Sequence, residues 1–165
     1  MNRTLLLLAL GLLLIFMQFY NVDRFSNTTI HDRSKYSLHR AAHDAALQVN
    51  PALKVNGQIV FVRDKALQAF KDTFAKNMSL KPDLSPKPNT LLKNPVEIIF
   101  EDYIDDQSGV TFPYNYVNSQ YGINKTIKGP AVIYEIRTKA VKHSTYSYDG
   151  YIYKNVIFEY PYPLP

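Results

Sequence analysis

The chain has 165 residues, no cysteine, and 19 basic against 14 acidic side chains, for a net charge of +5. The missing cysteine excludes disulfides, thiolate metal sites and thiol chemistry. A hydrophobic share of 46%, with 13 Tyr and 9 Phe, excludes disorder of the whole chain and suits one domain with one core.

Residues 4–20 read Thr-Leu-Leu-Leu-Leu-Ala-Leu-Gly-Leu-Leu-Leu-Ile-Phe-Met-Gln-Phe-Tyr and carry no charge. As a helix this run is near the shortest that crosses a bilayer. It is slightly long for the core of a cleaved signal, and Asn21-Val22-Asp23-Arg24-Phe25 lacks a small-x-small cleavage pattern. The reading is an uncleaved signal anchor over residues 1–25, contacting membrane lipid through residues 4–20, followed by a domain over 26–165. Arg3 and the amino terminus precede the run, whereas Asp23 and Arg24 nearly cancel after it. The positive-inside rule then places the domain outside the cytoplasm, on a single-pass protein of the cell membrane.

Residues 26–49 have helical spacing, with Ser26 or Asn27 as a cap and Pro51 as the stop. Ile30, Leu38, Ala41, Ala45 and Val49 fall on one face, with Ala42 and Ala46 beside it. The membrane helix is expected to run into this one, with a break near Asn21. Its seam of small residues permits close approach of another helix or a sheet, so Ala41, Ala42, Ala45 and Ala46 are candidate partner contacts.

Gly57–Arg63 reads as a short strand and Asp64 as the cap of a second helix. In that helix Leu67, Phe70, Phe74 and Met78 recur at core spacing. Pro82, Pro86, Pro88 and Pro95 make residues 79–95 an irregular surface loop. Val96, Ile98 and Phe100 alternate as a strand, and Val110–Tyr116 is expected to pair with it through the turn Asp105–Gly109. In Ala131–Val141, Val132, Tyr134, Ile136 and Ala140 face one way, Glu135, Arg137 and Lys139 the other. Asp149-Gly150 signals a hairpin into Tyr151–Tyr160. The fold class is α+β: a long N-terminal helix packed on a small antiparallel sheet of three to five strands.

Eleven of the 13 tyrosines lie at or after Tyr103. Tyrosine favours half-buried strand positions and also binding surfaces. The surface reading points to Tyr114, Tyr116, Tyr121, Tyr146 and Tyr148, in or near loops. It supports an alternative function as an extracellular ligand-binding module.

Catalytic signals are weak. His39 and His43 lie four apart on a helix, as zinc ligands do, but Arg40 stands where a zinc protease has its glutamate. Glu101, Asp102, Asp105 and Asp106 form an acidic cluster without the spacing of an EF-hand; it reads as a solubilising turn. No nucleophile elbow or phosphate loop occurs, so no cofactor, no metal and no enzyme activity are expected. The basic residues are scattered without a run of five, so no nucleic-acid partner is expected.

A long apolar helix feeding a small α+β head is the layout of pilin-like proteins. The stretches His39-Arg-Ala-Ala-His-Asp-Ala-Ala-Leu-Gln48 and Gly129-Pro-Ala-Val-Ile133 resemble small single-pass proteins of Gram-positive bacteria, some of them TadE-like pseudopilins of tight-adherence systems. Gly11 lies inside the apolar run and no glutamate precedes Glu97, unlike a type IV prepilin processing site. The resemblance therefore implies an accessory envelope component that is anchored, not polymerised, and assembles with pilus-like or other envelope proteins.

Overall fold

The computed structural model describes residues 2–143 and 148–162. Helix α1 runs unbroken over Arg3–Ala46. The expected break near Asn21 is absent, because no proline or glycine lies between Gly11 and Pro51 and a buried stripe already begins at Asp23. That stripe continues through Ser26, Ile30, Ser34, Ser37, Leu38, Ala41, Ala42, Ala45 and Ala46, at the three- and four-residue steps of one helix face. Ser26 and Asn27 are thus interior helical residues, not caps. Pro51 opens a helix instead of closing one: α2 (Pro51–Val55) starts on it, and the Asn50 side chain accepts from the N–H groups of Ala52 and Leu53.

Residues 57–63 do not form a strand. Only an isolated bridge joins Val49 to Phe61. The bridge is made by Val62 N–H to the Gln48 carbonyl and Asn50 N–H to the Val60 carbonyl, and on the other side of the stretch side chains take the N–H groups: Ile59 donates to Asp106 Oδ2 at 2.6 Å and Phe61 to Asp105 Oδ2 at 3.2 Å. Helix α3 (Arg63–Met78) is capped by Val62, so Asp64 falls in its first turn. Phe70 and Phe74 are fully buried and Met78 is buried, as their spacing implied. The loop 79–95 is more than a surface crossing, since Leu80, Leu84 and Leu92 enter the core.

The main sheet has the order β1-β4-β5, all antiparallel, with β1 Val96–Ile104, β4 Ala131–Lys139 and β5 Tyr151–Glu159. A separate hairpin pairs β2 (Tyr114–Asn118) with β3 (Ile123–Ile127). Residues 110–116 therefore do not pair with β1: Pro113 cannot donate to a ladder, and the turn at Ser119–Gly122 supplies a nearer partner. Gly122 adopts φ +63, which a side chain would disfavour. The β4–β5 ladder ends at Lys139↔Tyr151, so Asp149-Gly150 belongs to a longer connection and not to a two-residue turn.

β4 is the keel of the domain. Val132, Tyr134 and Ile136 pack with α1 and α3, where Tyr134 stacks on Phe70 at 4.0 Å and shares a 2.8 Å hydrogen bond with the Tyr103 hydroxyl. Burial pushes the Tyr103 phenol up to about 12, the Tyr134 hydroxyl bond partly opposing it. Ala131 and Ile133 face the β2–β3 hairpin and form a second core with Tyr116, Ile123 and Ile127. Glu135, which alternation puts on the same side of β4 as Ala131 and Ile133, is 5% exposed.

Candidate interaction site

α1 has two halves of opposite character. Every large apolar residue from Leu5 to Val22 is exposed. From Asp23 onward one face is buried in the head. Among the described residues this is one helix long and apolar enough to cross a membrane. Residues 3–22 rise about 30 Å, the thickness of a hydrocarbon core.

Immediately past the apolar half, two side chains tie the head to the helix. Asp23 Oδ1 accepts the backbone N–H of His143 at 2.7 Å and lies 2.7 Å from its ring Nδ1. Asn27 mimics a strand partner for Val141: its Oδ1 accepts the Val141 N–H at 3.0 Å, and its Nδ2 donates to the Val141 carbonyl at 2.9 Å. The sequence offered Asn27 as a cap and Asp23 as a flanking charge, but not as ties to the head, because a polar pair on a helix is usually solvated. They join helix and head at the end of the apolar half.

The four alanines are not a partner surface. Ala41, Ala42, Ala45 and Ala46 are fully buried, within the cluster that α3 and the sheet share. The close approach permitted by small residues is used inside the chain.

The tyrosines divide. Tyr116 is buried and donates to Asp102 Oδ2 at 2.8 Å; burial, with the Asp102 charge adding, raises its phenol above the ordinary range. Tyr114 packs on the second core. Tyr121 stacks on Phe100 at 4.5 Å and donates to the Ile99 carbonyl. These three hold the hairpin in place. Tyr148 is exposed, and Tyr146 lies outside the described residues. Tyr151 and Tyr153, assigned by their pattern to a strand, add exposed aromatic surface on β5.

The acidic cluster is structural. Asp105 and Asp106 accept from Ile59 and Phe61, Asp105 Oδ1 also accepts from the Gln107 N–H and the Ser108 hydroxyl, and Asp102 accepts from Tyr116. Glu101 is separate; burial raises its carboxyl, and Lys71 and Arg63 partly oppose the shift. His39 and His43 both meet the ring of Phe158 edge-on, at 5.1 and 5.2 Å. Asp44 beside them is held below the usual carboxylate range, chiefly by the 2.6 Å bond from the Thr73 hydroxyl. No group of three His, Asp or Glu side chains placed to hold a metal occurs among the described residues.

Two concave features flank β5. One, of about 640 Å³, lies between α1 and α3 and is lined by His39, His43, Asp44, Lys76 and Phe158. The other, of about 590 Å³, lies along the outer side of β5. Lys35 and His39 of α1 form one wall, and Gly122, Asn124 and Lys125 form the other. The chain matches no family model, no curated protein and no solved structure.

Proposed function

We propose that this protein is a non-enzymatic, single-pass component of the cell envelope, anchored through residues 1–25, that works by holding protein partners outside the cytoplasm. The observation that carries the reading is the exposed apolar half of α1, continuous with a half that is built into the head. A contiguous apolar surface of this length is not tolerated in water, and a helix end meets lipid without leaving backbone groups unpaired. Arg3 at the start of the helix favours a cytoplasmic N-terminus. The use of the acidic cluster and of the histidine pair in internal contacts supports a binding role over catalysis. The resemblance of residues 39–48 and 129–133 to TadE-like pseudopilins supports an accessory, pilus-like place in the envelope.

The test is fractionation of the native host with intact-mass analysis. Full-length protein that resists carbonate extraction, together with release on deletion of residues 1–25, is the expected result. A soluble full-length protein, or a mature form shortened near residue 25, would overturn the anchor.

A further inference from the structure

The sheet has two outer strands, and they are finished differently. β1 carries a bulge between Ile98 and Phe100, gives its Val96 N–H to the Leu84 carbonyl, and has its Ile99 carbonyl taken by Tyr121. These devices spoil an edge for further pairing. β5 pairs with β4 over nine residues without a shift and contains no proline.

The free groups of β5 follow from its register. Tyr160 N–H donates to the Pro130 carbonyl at 2.6 Å, and Ala140 N–H to the Gly150 carbonyl at 2.9 Å. Both pairs continue the register Lys139↔Tyr151 to Ala131↔Glu159. Hydrogen-bonded pairs alternate in an antiparallel ladder, so the even-numbered residues of β5 bond to β4 and the odd-numbered ones point outward. The backbone groups of Tyr153, Asn155 and Ile157 therefore face the groove, and no hydrogen bond from another described residue reaches them.

The groove also has a sign. Lys35 from α1, Lys125 from β3 and Lys154 from β5 line it, and no carboxylate does. Lys154 is partly desolvated and contacts His31, and burial together with Lys35 lowers its ammonium from the ordinary lysine range. One lysine on an edge is a common guard against aggregation. Three lysines from three elements around one open ladder select the charge of what enters. The bilayer is not the occupant, because Lys35 lies thirteen residues past Val22, about 20 Å further along the helix and beyond the headgroup layer.

We propose that the outer edge of β5 docks an extended, acidic segment of a partner protein, which pairs with Tyr153–Ile157 as an added strand and sets its carboxylates on Lys35, Lys125 and Lys154. This mode takes affinity from main-chain bonds and specificity from alternate side chains. The proposal rests on the reading of the protein as a partner-holding envelope component and identifies the surface that does the holding.

The test uses the full chain in phosphatidylcholine nanodiscs, with a fluorescein-labelled peptide of alternating Glu and Val and its Lys-Val counterpart. Binding of the Glu-Val peptide alone is expected, with slowed hydrogen exchange over residues 150–160. Asn155→Pro removes an outward N–H that the β4 ladder does not use, and is expected to weaken binding at least about tenfold, which corresponds to about 1.4 kcal/mol. Should that variant unfold, Lys35→Glu with Lys125→Glu changes only exposed positions and is expected to give a similar loss. Equal binding of the Lys-Val peptide, unchanged exchange over 150–160, or unaltered affinity in the charge-reversed protein would each overturn the proposal. Self-association abolished by Asn155→Pro would name a second copy as the occupant and overturn it as well. Loss of the peptide interaction in a protein that still fractionates with membranes would sink the edge alone, whereas a soluble native protein would sink the anchor reading.

Discussion

Replacing Asp105 with alanine separates a structural acidic cluster from a catalytic or metal-binding one. The carboxylate is 4% exposed and accepts three hydrogen bonds, from the Phe61 N–H, the Gln107 N–H and the Ser108 hydroxyl. Gln107 and its neighbours reach water once the carboxylate is gone, so those two bonds are partly replaced. Phe61 is 5% exposed, and its N–H would be stranded at a cost of about 1–3 kcal/mol. Adding the lost charge-assisted bonds gives about 3 kcal/mol in all. For a chain of this size that corresponds to a fall in Tm of roughly 6–12 °C. Asp64→Ala is the control, since this exposed carboxylate sits in the first turn of α3, where it contributes about 0.3–1 kcal/mol. The assay is thermal and urea unfolding of the full chain in micelles, with and without millimolar calcium. An Asp105→Ala protein as stable as the parent would refute the reasoning. So would calcium that raises the Tm of the parent but not of the variant, because tight native-state binding must stabilise.

Three further outcomes are expected. Ala42→Leu forces a larger side chain between α1 and its neighbours and is expected to cost about 1–3 kcal/mol by overpacking; a urea midpoint equal to the parent's would place Ala42 outside the core. Glu135→Gln addresses a buried carboxyl with one oxygen, Oε2, lacking a partner among the described residues, whose pKa burial raises from 4.5. A raised folded-state pKa favours folding at low pH, and that contribution is lost as pH rises through the folded pKa. The variant should therefore gain stability relative to the parent from about pH 4.5 upward, and parallel urea midpoints between pH 4 and 8 would refute this. Asn27→Ala removes both bonds that hold Val141, and hydrogen exchange at residues 140–143 should quicken about tenfold or more, matching a loss of at least about 1.4 kcal/mol; unchanged exchange there would mean that the loop is held by other contacts.

The internal ties at Asp23 and Asn27 bear on the proposed function. A head joined to its membrane helix by a flexible linker would sample many orientations. Here the same helix supplies the apolar half and the buried face of the head, and the start of the β4–β5 connection is tied to that helix one turn past the apolar half. The open edge of β5 is thereby held at one height and one azimuth relative to the helix axis. A fixed presentation lowers the entropy lost when an extended partner docks.

The elements legible in the sequence are those set by local chemistry. The uncharged run of residues 4–20 is apolar whatever surrounds it. The spacing of Phe70, Phe74 and Met78 names a helix face by geometry alone, and Val132, Tyr134 and Ile136 name a strand face in the same way. Those patterns determined the α+β class, the membrane-length helix and the centre of the core. Tertiary structure decided what each pattern is used against. The alanine seam at residues 41–46 fits any close neighbour, and only the folded chain assigns it to α3 and the sheet. Glu135 lies opposite the core-facing residues of β4 by alternation, yet the fold buries it. The extended stretch at residues 57–63 has strand composition, yet on one side the carboxylates of Asp105 and Asp106, far away in sequence, take the N–H groups of Ile59 and Phe61. The open edge of β5 has no sequence signal either, because an edge is defined by the absence of a neighbour. Local periodicity reports how a segment is built, and burial and pairing depend on contacts between residues that the sequence does not place together.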